Sequence, residues 1–209
     1  MDTGHGLCGF PTSWETKSFI LYTSNLSASD RFFSKLPGNP GTRASIPISA
    51  KLVGDRFGSL DILINNAGIN SASDPNATLR ETYQEVFETN VYGVAVMTAT
   101  FPPLLRASKY HDRHIVNVTS GLGQIGIAYS PTSEYSAKIW GLPVYRSSKS
   151  AINMISAVYA VSHEKENILC ILAAPGYCRT NFGGGLLCRL LLRVTRRSCL
   201  ESLLITRIR

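Results

Sequence analysis

Apolar positions along the chain fall into compact runs of strand length, separated by stretches with helical spacing. Residues 18–23 (Ser-Phe-Ile-Leu-Tyr-Thr), 60–64, 114–119 and 168–173 are such runs, and each reads as a buried strand. A loop rich in Ser, Pro, Gly and Asn follows the first run to Arg43, and a weaker strand is predicted near residues 44–49. Leu79, Tyr83, Val86, Phe87, Asn90, Val91, Val94, Thr98 and Phe101 recur three and four apart. That spacing predicts one long helix, ended or kinked by Pro102-Pro103. After residue 119 come a Gly-rich loop and an irregular stretch to Pro143, then a second helix over residues 144–164. Strands alternating with helices predict an α/β fold built on a parallel sheet.

A chain of 209 residues, 44% hydrophobic and 17% charged, is enough for one domain with a real core. We expect that domain over residues 1–185 and a Leu/Arg-rich tail over 186–209. The tail holds Arg189, Arg193, Arg196, Arg197, Arg207 and Arg209 against Glu201, so five of the seven net positive charges lie there. The body is close to neutral, with no basic stripe among aromatics, which excludes a nucleic-acid partner. As a helix from Leu186 the tail would be amphipathic, and a packed terminal helix is favoured over membrane-surface contact. No apolar run reaches the roughly 18 residues of a spanning helix.

Cys8, Cys170, Cys178, Cys188 and Cys199 form no C-x-x-C pair, and no secretory signal stands at the N-terminus. Reduced thiols in a cytoplasmic protein are therefore expected. Three N-x-S/T matches begin at Asn25, Asn76 and Asn117, and all three are read as chance, the last because it lies inside an apolar strand.

The candidate chemistry gathers where strands end. Asn66 follows one predicted strand, Ser120 the next and Pro175-Gly176 the last, and open parallel sheets bind ligands outside these carboxyl ends. Tyr145 and Lys149, four apart at a helix start, share one face. A free phenol, with a pKa of about 10, exchanges protons poorly at neutral pH. A nearby ammonium favours the phenolate and brings that pKa toward the working range. A serine hydroxyl opposite would orient a carbonyl and steady charge on its oxygen.

Five phrases together resemble the short-chain dehydrogenase/reductase family. They are Leu-Asp-Ile-Leu-Ile-Asn-Asn-Ala-Gly (60–68), Thr-Asn-Val-Tyr-Gly (89–93), Ile-Val-Asn-Val-Thr-Ser-Gly (115–121), Val-Tyr-Arg-Ser-Ser-Lys-Ser-Ala (144–151) and Ala-Pro-Gly-Tyr-Cys-Arg-Thr (174–180). The phrase around Tyr145 is most similar to fungal carbonyl-reductase-like members. The resemblance implies a Rossmann-like, doubly wound parallel sheet and an NAD(P)-dependent oxidoreductase acting on a small-molecule carbonyl or alcohol. It implies a catalytic set of Asn90, Ser120, Tyr145 and Lys149. Tyr145 would be the acid/base, Ser120 the carbonyl orienter, Lys149 the tuner and ribose ligand, and Asn90 the holder of a relay water. Asn66, Ala67, Gly68, Pro175, Gly176 and Thr180 would line the cofactor. Residues 79–101 and 144–164 would supply a homodimer interface. No metal ligands are implied. The 25 residues from Ser120 to Tyr145 exceed the usual family interval and predict an insertion at about 125–143, beside the substrate pocket.

The family's first strand and T-G-x-x-x-G-x-G turn have no full counterpart. Gly4, Gly6 and Gly9 satisfy G-x-G-x-x-G with only Met1, Asp2 and Thr3 before them. The expected fold therefore lacks the usual first and last strands, leaving two inner sheet edges to be satisfied. After Tyr22 no acid occurs until Asp30 beside Arg31, which favours NADP(H) over NAD(H). The alternative expectation is a truncated remnant that binds no dinucleotide and acts as a non-catalytic partner.

Overall fold

The computed structural model describes residues 45–176, together with the backbone of two strands at 19–22 and 204–207. Gly4, Gly6, Thr180 and the predicted helix from Leu186 lie outside the described residues. The elements in chain order are β1 (Phe19–Tyr22), α1 (Ser45–Phe57), β2 (Ile62–Asn65), α2 (Leu79–Phe87), α3 (Gly93–Thr100), α4 (Pro102–Ala107), β3 (Arg113–Val118), α5 (Ile125–Tyr129), α6 (Pro143–His163), β4 (Ile168–Ala174) and β5 (Leu204–Arg207).

The sheet runs β1-β2-β3-β4-β5, with β2, β3 and β4 parallel. This is the Rossmann-like α/β fold expected from the alternation of strand and helix signals. Both inner edges are closed, but by antiparallel partners: Phe19 pairs with Asn65 on one side and Ile171 with Arg207 on the other. Unpaired backbone groups at an inner edge are costly, and either strand direction can satisfy them.

Register sorts the parallel strands into two faces. Leu63, Ile115 and Cys170 sit in line and join Ile46 and Val53 of α1, Met97 of α3, and Phe101 and Leu105 in the main core. Tyr159 and Ala160 of α6 pack on the same cluster. Ile64, Val116 and Ile171 line the opposite face, where the described cluster consists of strand residues alone.

Three expectations are corrected here. Residues 44–49 do not form a strand; Ser45–Phe57 is a helix that buries Ile46 and Val53. Its apolar side chains recur at helical spacing, and that period outweighs the β-branched residues near its start. The long helix at 79–101 is instead α2, a π-helical turn over Glu88–Tyr92, and α3, with α4 starting at Pro102. Proline at a first helical position needs no donor, so Pro102-Pro103 opens a helix as well as closing one. The tail, in which no comparable strand is predicted, contributes β5.

Polar groups also occupy the main core. Asn65 Nδ2 donates to Asn117 Oδ1 (2.7 Å) and Thr98 Oγ1 (3.2 Å), and Asn117 Nδ2 donates to Ser156 Oγ (2.8 Å). This ladder ties β2 and β3 to α3 and α6, and all four residues are buried. It also keeps Asn117 from carrying a glycan. Ser156→Ala should leave the Asn117 amide without its acceptor and cost about 1–3 kcal/mol, measurable by urea denaturation.

Candidate active site

Each candidate side chain is delivered by an element end. Strand β2 runs into Asn66, Ala67 and Gly68, which are half-buried, buried and half-buried in turn. Strand β3 ends two residues before Ser120, whose extended backbone caps a tight turn over Gly121–Gly123. Its Oγ accepts from Leu122 N at 3.2 Å, leaving the hydroxyl proton to donate elsewhere. Helix α6 starts with Pro143 at a position where no backbone donor is needed, and presents Tyr145 and Lys149 on one buried face.

Lys149 organises this end of the sheet. Its side chain is only 3% exposed, and Nζ donates to Val118 O at 2.9 Å. The ammonium lies 5.6 Å from the centre of the Tyr145 ring. Burial lowers the Lys149 pKa from its ordinary 10.5 to about 8. The structure thus brings Tyr145 and Lys149 together in the arrangement their spacing predicts.

Gly68 closes the other side. A Cβ there would sit 3.4 Å from Lys149 Nζ and 3.5 Å from Asn90 Oδ1, so the missing side chain leaves a cradle against the buried ammonium. Asn90 is fully buried in the π-helical turn. Its Oδ1 accepts from Ile69 N at 2.8 Å, and its Nδ2 donates to Ile69 O at 2.8 Å and to Ser148 Oγ at 2.9 Å. The Asn90 amide is therefore spent on holding the backbone after Gly68 to α6. Pro175 and Gly176 follow β4 directly; Gly176 adopts a φ of 75°, which glycine accepts without strain.

Several supporting residues lie outside the predicted set. Gly123 touches α6 so closely that a Cβ would stand 2.8 Å from both the carbonyl carbon and the Cβ of Lys149. Ser150 Oγ and Asn153 Nδ2 both donate to Gly123 O, at 2.8 and 3.2 Å. Thr119 Oγ1 donates to Asn153 Oδ1 at 2.6 Å. Ser148 anchors Asn90. Thr119, Ser148 and Ser150 lie within the family-like phrases and Gly123 in the Gly-rich loop, but their pairings, and Asn153 altogether, carry no local pattern.

Four of the phrases that suggested a family, with Ala174, Pro175 and Gly176 of the fifth, thus lie on the strand ends and helices that form this site. The short chain dehydrogenase family matches residues 33–186. The chain belongs to the short-chain dehydrogenase/reductase family. It is 85% identical over 141 residues to short-chain dehydrogenase anuI of Penicillium roqueforti (strain FM164), covering 68% of this chain and 56% of that protein. It is 35% identical over 150 residues to short-chain dehydrogenase/reductase eupG of Phoma sp, covering 66% and 54%. Among solved structures it resembles NADPH-bound carbonyl reductase from chicken fatty liver, with a TM-score of 0.59 at 29% identity over 72% of this chain and 60% of that one. The chain spans about half the length of the curated relatives it matches.

Two measurements test the site's physics. Gly123→Ala should force α6 away from the turn and cost about 1–3 kcal/mol of unfolding free energy. For Lys149, the unfolded chain holds its proton up to about pH 10.5 and the fold only to about pH 8. Between these values the unfolded state binds more protons, so this residue's contribution to stability rises with pH. The urea midpoint of the unaltered chain, relative to Lys149→Met, should therefore climb between pH 8 and 10; a flat difference would refute the shift.

Proposed function

We propose that this protein is an NADP(H)-dependent oxidoreductase that interconverts a small-molecule carbonyl and its alcohol. The observation that carries this reading is the buried Lys149 ammonium 5.6 Å from the Tyr145 ring centre, at the carboxyl end of β3. The space over Gly68, open because no Cβ stands there and bordered by Lys149 Nζ, supports a cofactor at this end of the sheet. Lys149 has one acceptor among the described residues, leaving N–H groups for a ribose hydroxyl. Asn66, Ala67, Gly68, Pro175, Gly176 and Thr180 would complete the cofactor contacts, with Gly4 and Gly6 at the phosphates. When bound, the nicotinamide supplies the hydride.

In the reducing direction Tyr145 gives its phenolic proton to the carbonyl oxygen, and Ser120 donates a hydrogen bond to the same oxygen. Lys149 lowers the cost of the phenolate left behind. With the side chain of Asn90 committed to Ile69 and Ser148, a relay water would have to be held by its main-chain groups. The sequence expectation of NADP(H), drawn from the absence of an acid after Tyr22, loses its support here, because antiparallel β1 sets Tyr22 against Ile62, at the sheet end away from Asn66. The preference now rests on a structural neighbour. The chicken relative of known structure carries NADPH.

We further propose a cytoplasmic homodimer formed through residues 79–101 and 144–164. Tyr92, Val96, Met154, Val158 and Val161 are exposed on these helical segments, an apolar surface of the kind that marks an interface. Among the described residues no helix is long and apolar enough to cross a membrane, and no three His, Cys, Asp or Glu side chains are grouped to hold a metal ion.

Tyr145→Phe should lower kcat by about 100-fold or more with folding intact, since general acid catalysis contributes that much. Undiminished turnover would overturn the assignment. Titration with NADPH, followed by cofactor fluorescence and thermal shift, should show saturable binding. Absence of binding at millimolar NADPH would instead support a non-catalytic remnant.

A further inference from the structure

The excursion between the turn after Ser120 and helix α6 is held by a single buried cation. Arg146 follows Tyr145 directly and is only 7% exposed. Its Nη1 donates to Tyr135 O and Trp140 O, and its Nη2 to Tyr135 O, all at 3.0 Å. All three acceptor contacts are made to backbone carbonyls of the excursion.

A second contact places the same segment beside Ser120. The Tyr135 ring covers Gly121, where a Cβ would meet ring carbons at 3.4 and 3.5 Å. Tyr135 thus spans the two sides of the candidate site, its ring against the residue after Ser120 and its carbonyl against the residue after Tyr145. The junction with α6 is strained: Leu142, a non-glycine residue ahead of a proline, has φ 37° and ψ 52°. Such a conformation persists only where its surroundings over-determine it. The first main-chain bond of α6, Arg146 N to Leu142 O at 2.9 Å, ties this residue to the helix, and the Arg146 guanidinium holds Trp140 two residues before it.

The held segment is unusually apolar for a surface loop. Ile125, Tyr129, Ile139, Trp140 and Leu142 are all exposed, Tyr129 at 86%. Charged groups within it are confined to Glu134 and Lys138.

We propose that Arg146 is a positioning residue that latches residues 124–142 onto the start of α6 and so fixes one wall of the substrate site, a wall suited to a bulky apolar carbonyl compound. The substrate part of this proposal rests on the oxidoreductase reading; the latch does not. A lysine could not replace the guanidinium fork, because it has no planar pair of donors to reach Tyr135 O and Trp140 O together.

The test uses the full chain and its Arg146→Met and Arg146→Lys variants. Lys138 is the only Lys or Arg between Arg113 and Arg146, so tryptic cleavage after it reports release of the excursion. Loss of even one such bond, about 1.4 kcal/mol, raises the open population about tenfold. Arg146→Met should therefore speed cleavage after Lys138 about tenfold or more, at unchanged cleavage after Lys51, with Arg146→Lys intermediate. Unchanged cleavage after Lys138 overturns the latch. Cleavage rising equally at Lys51 and Lys138 in both variants also overturns it, because Arg146 would then brace the whole fold.

With NADPH, turnover of 1-acetonaphthone and 2-butanone is compared. Arg146→Met should raise KM for the bulky ketone severalfold with kcat nearly unchanged, and leave 2-butanone unaffected. An equal fall in kcat for both ketones would overturn the wall. Absence of NADPH oxidation with any carbonyl by the unaltered chain would strike the oxidoreductase reading and, with it, the substrate part of the proposal. The cleavage result decides the latch in either case.

Discussion

A lysine ammonium removed from water has to be received by the backbone around it, and much of this molecule is arranged to do so. Lys149 Nζ is held by the carbonyl of Val118 at the end of β3, which fixes how far α6 can slide along the sheet. Gly123 lets the turn after Ser120 lie directly on the lysine's own backbone, and Gly68 leaves room on the opposite side. Shifting α6 by one residue would break all three relations at once. The burial that lowers the lysine pKa is therefore the same constraint that sets the distance between the ends of β2, β3 and α6.

Polar groups buried in the main core serve that alignment. The Thr98-Asn65-Asn117-Ser156 ladder lies on the face of β2 and β3 that carries Leu63 and Ile115. Apolar contacts tolerate sliding; directional hydrogen bonds between fully buried amides do not. The ladder defines the register of α3 and α6 against the strands that deliver the site residues. Asn90 repeats this logic one layer out, binding the segment after Gly68 to Ser148 on α6.

Much of this was legible in the sequence. Compact apolar runs marked β2, β3 and β4 because those strands carry apolar side chains on both faces, and the four-residue spacing of Tyr145 and Lys149 put both on one side of α6. Helix α1 was misread as a strand because Ile46 and Ile48, two apart, fit a strand period, while Val53, which completes the helical one, lies beyond that short window. The run at 18–23 also marked β1, but its antiparallel direction and the whole of β5 were illegible, because their pairing depends on which inner edges remain open, a property of the assembled sheet. Arg146 was invisible as a structural element because its acceptors are main-chain carbonyls, which carry no residue identity. The committed side chain of Asn90 was equally hidden, since its partners are a backbone unit and a serine 58 positions away.

The π-helical turn at Glu88–Tyr92 has a consequence for how such a chain can change. Each residue of a regular helix turns the chain by about 100°, so the wide turn reorients α3 relative to α2 by about one such step. A single-residue deletion there would regularise the helix and improve its internal hydrogen bonding. The same deletion would swing Asn90 away from Ile69 and unfasten the backbone beside Lys149. Local helix stability and the integrity of the site thus pull in opposite directions at this turn. Its irregularity is a place where selection for function and selection for stability can be told apart.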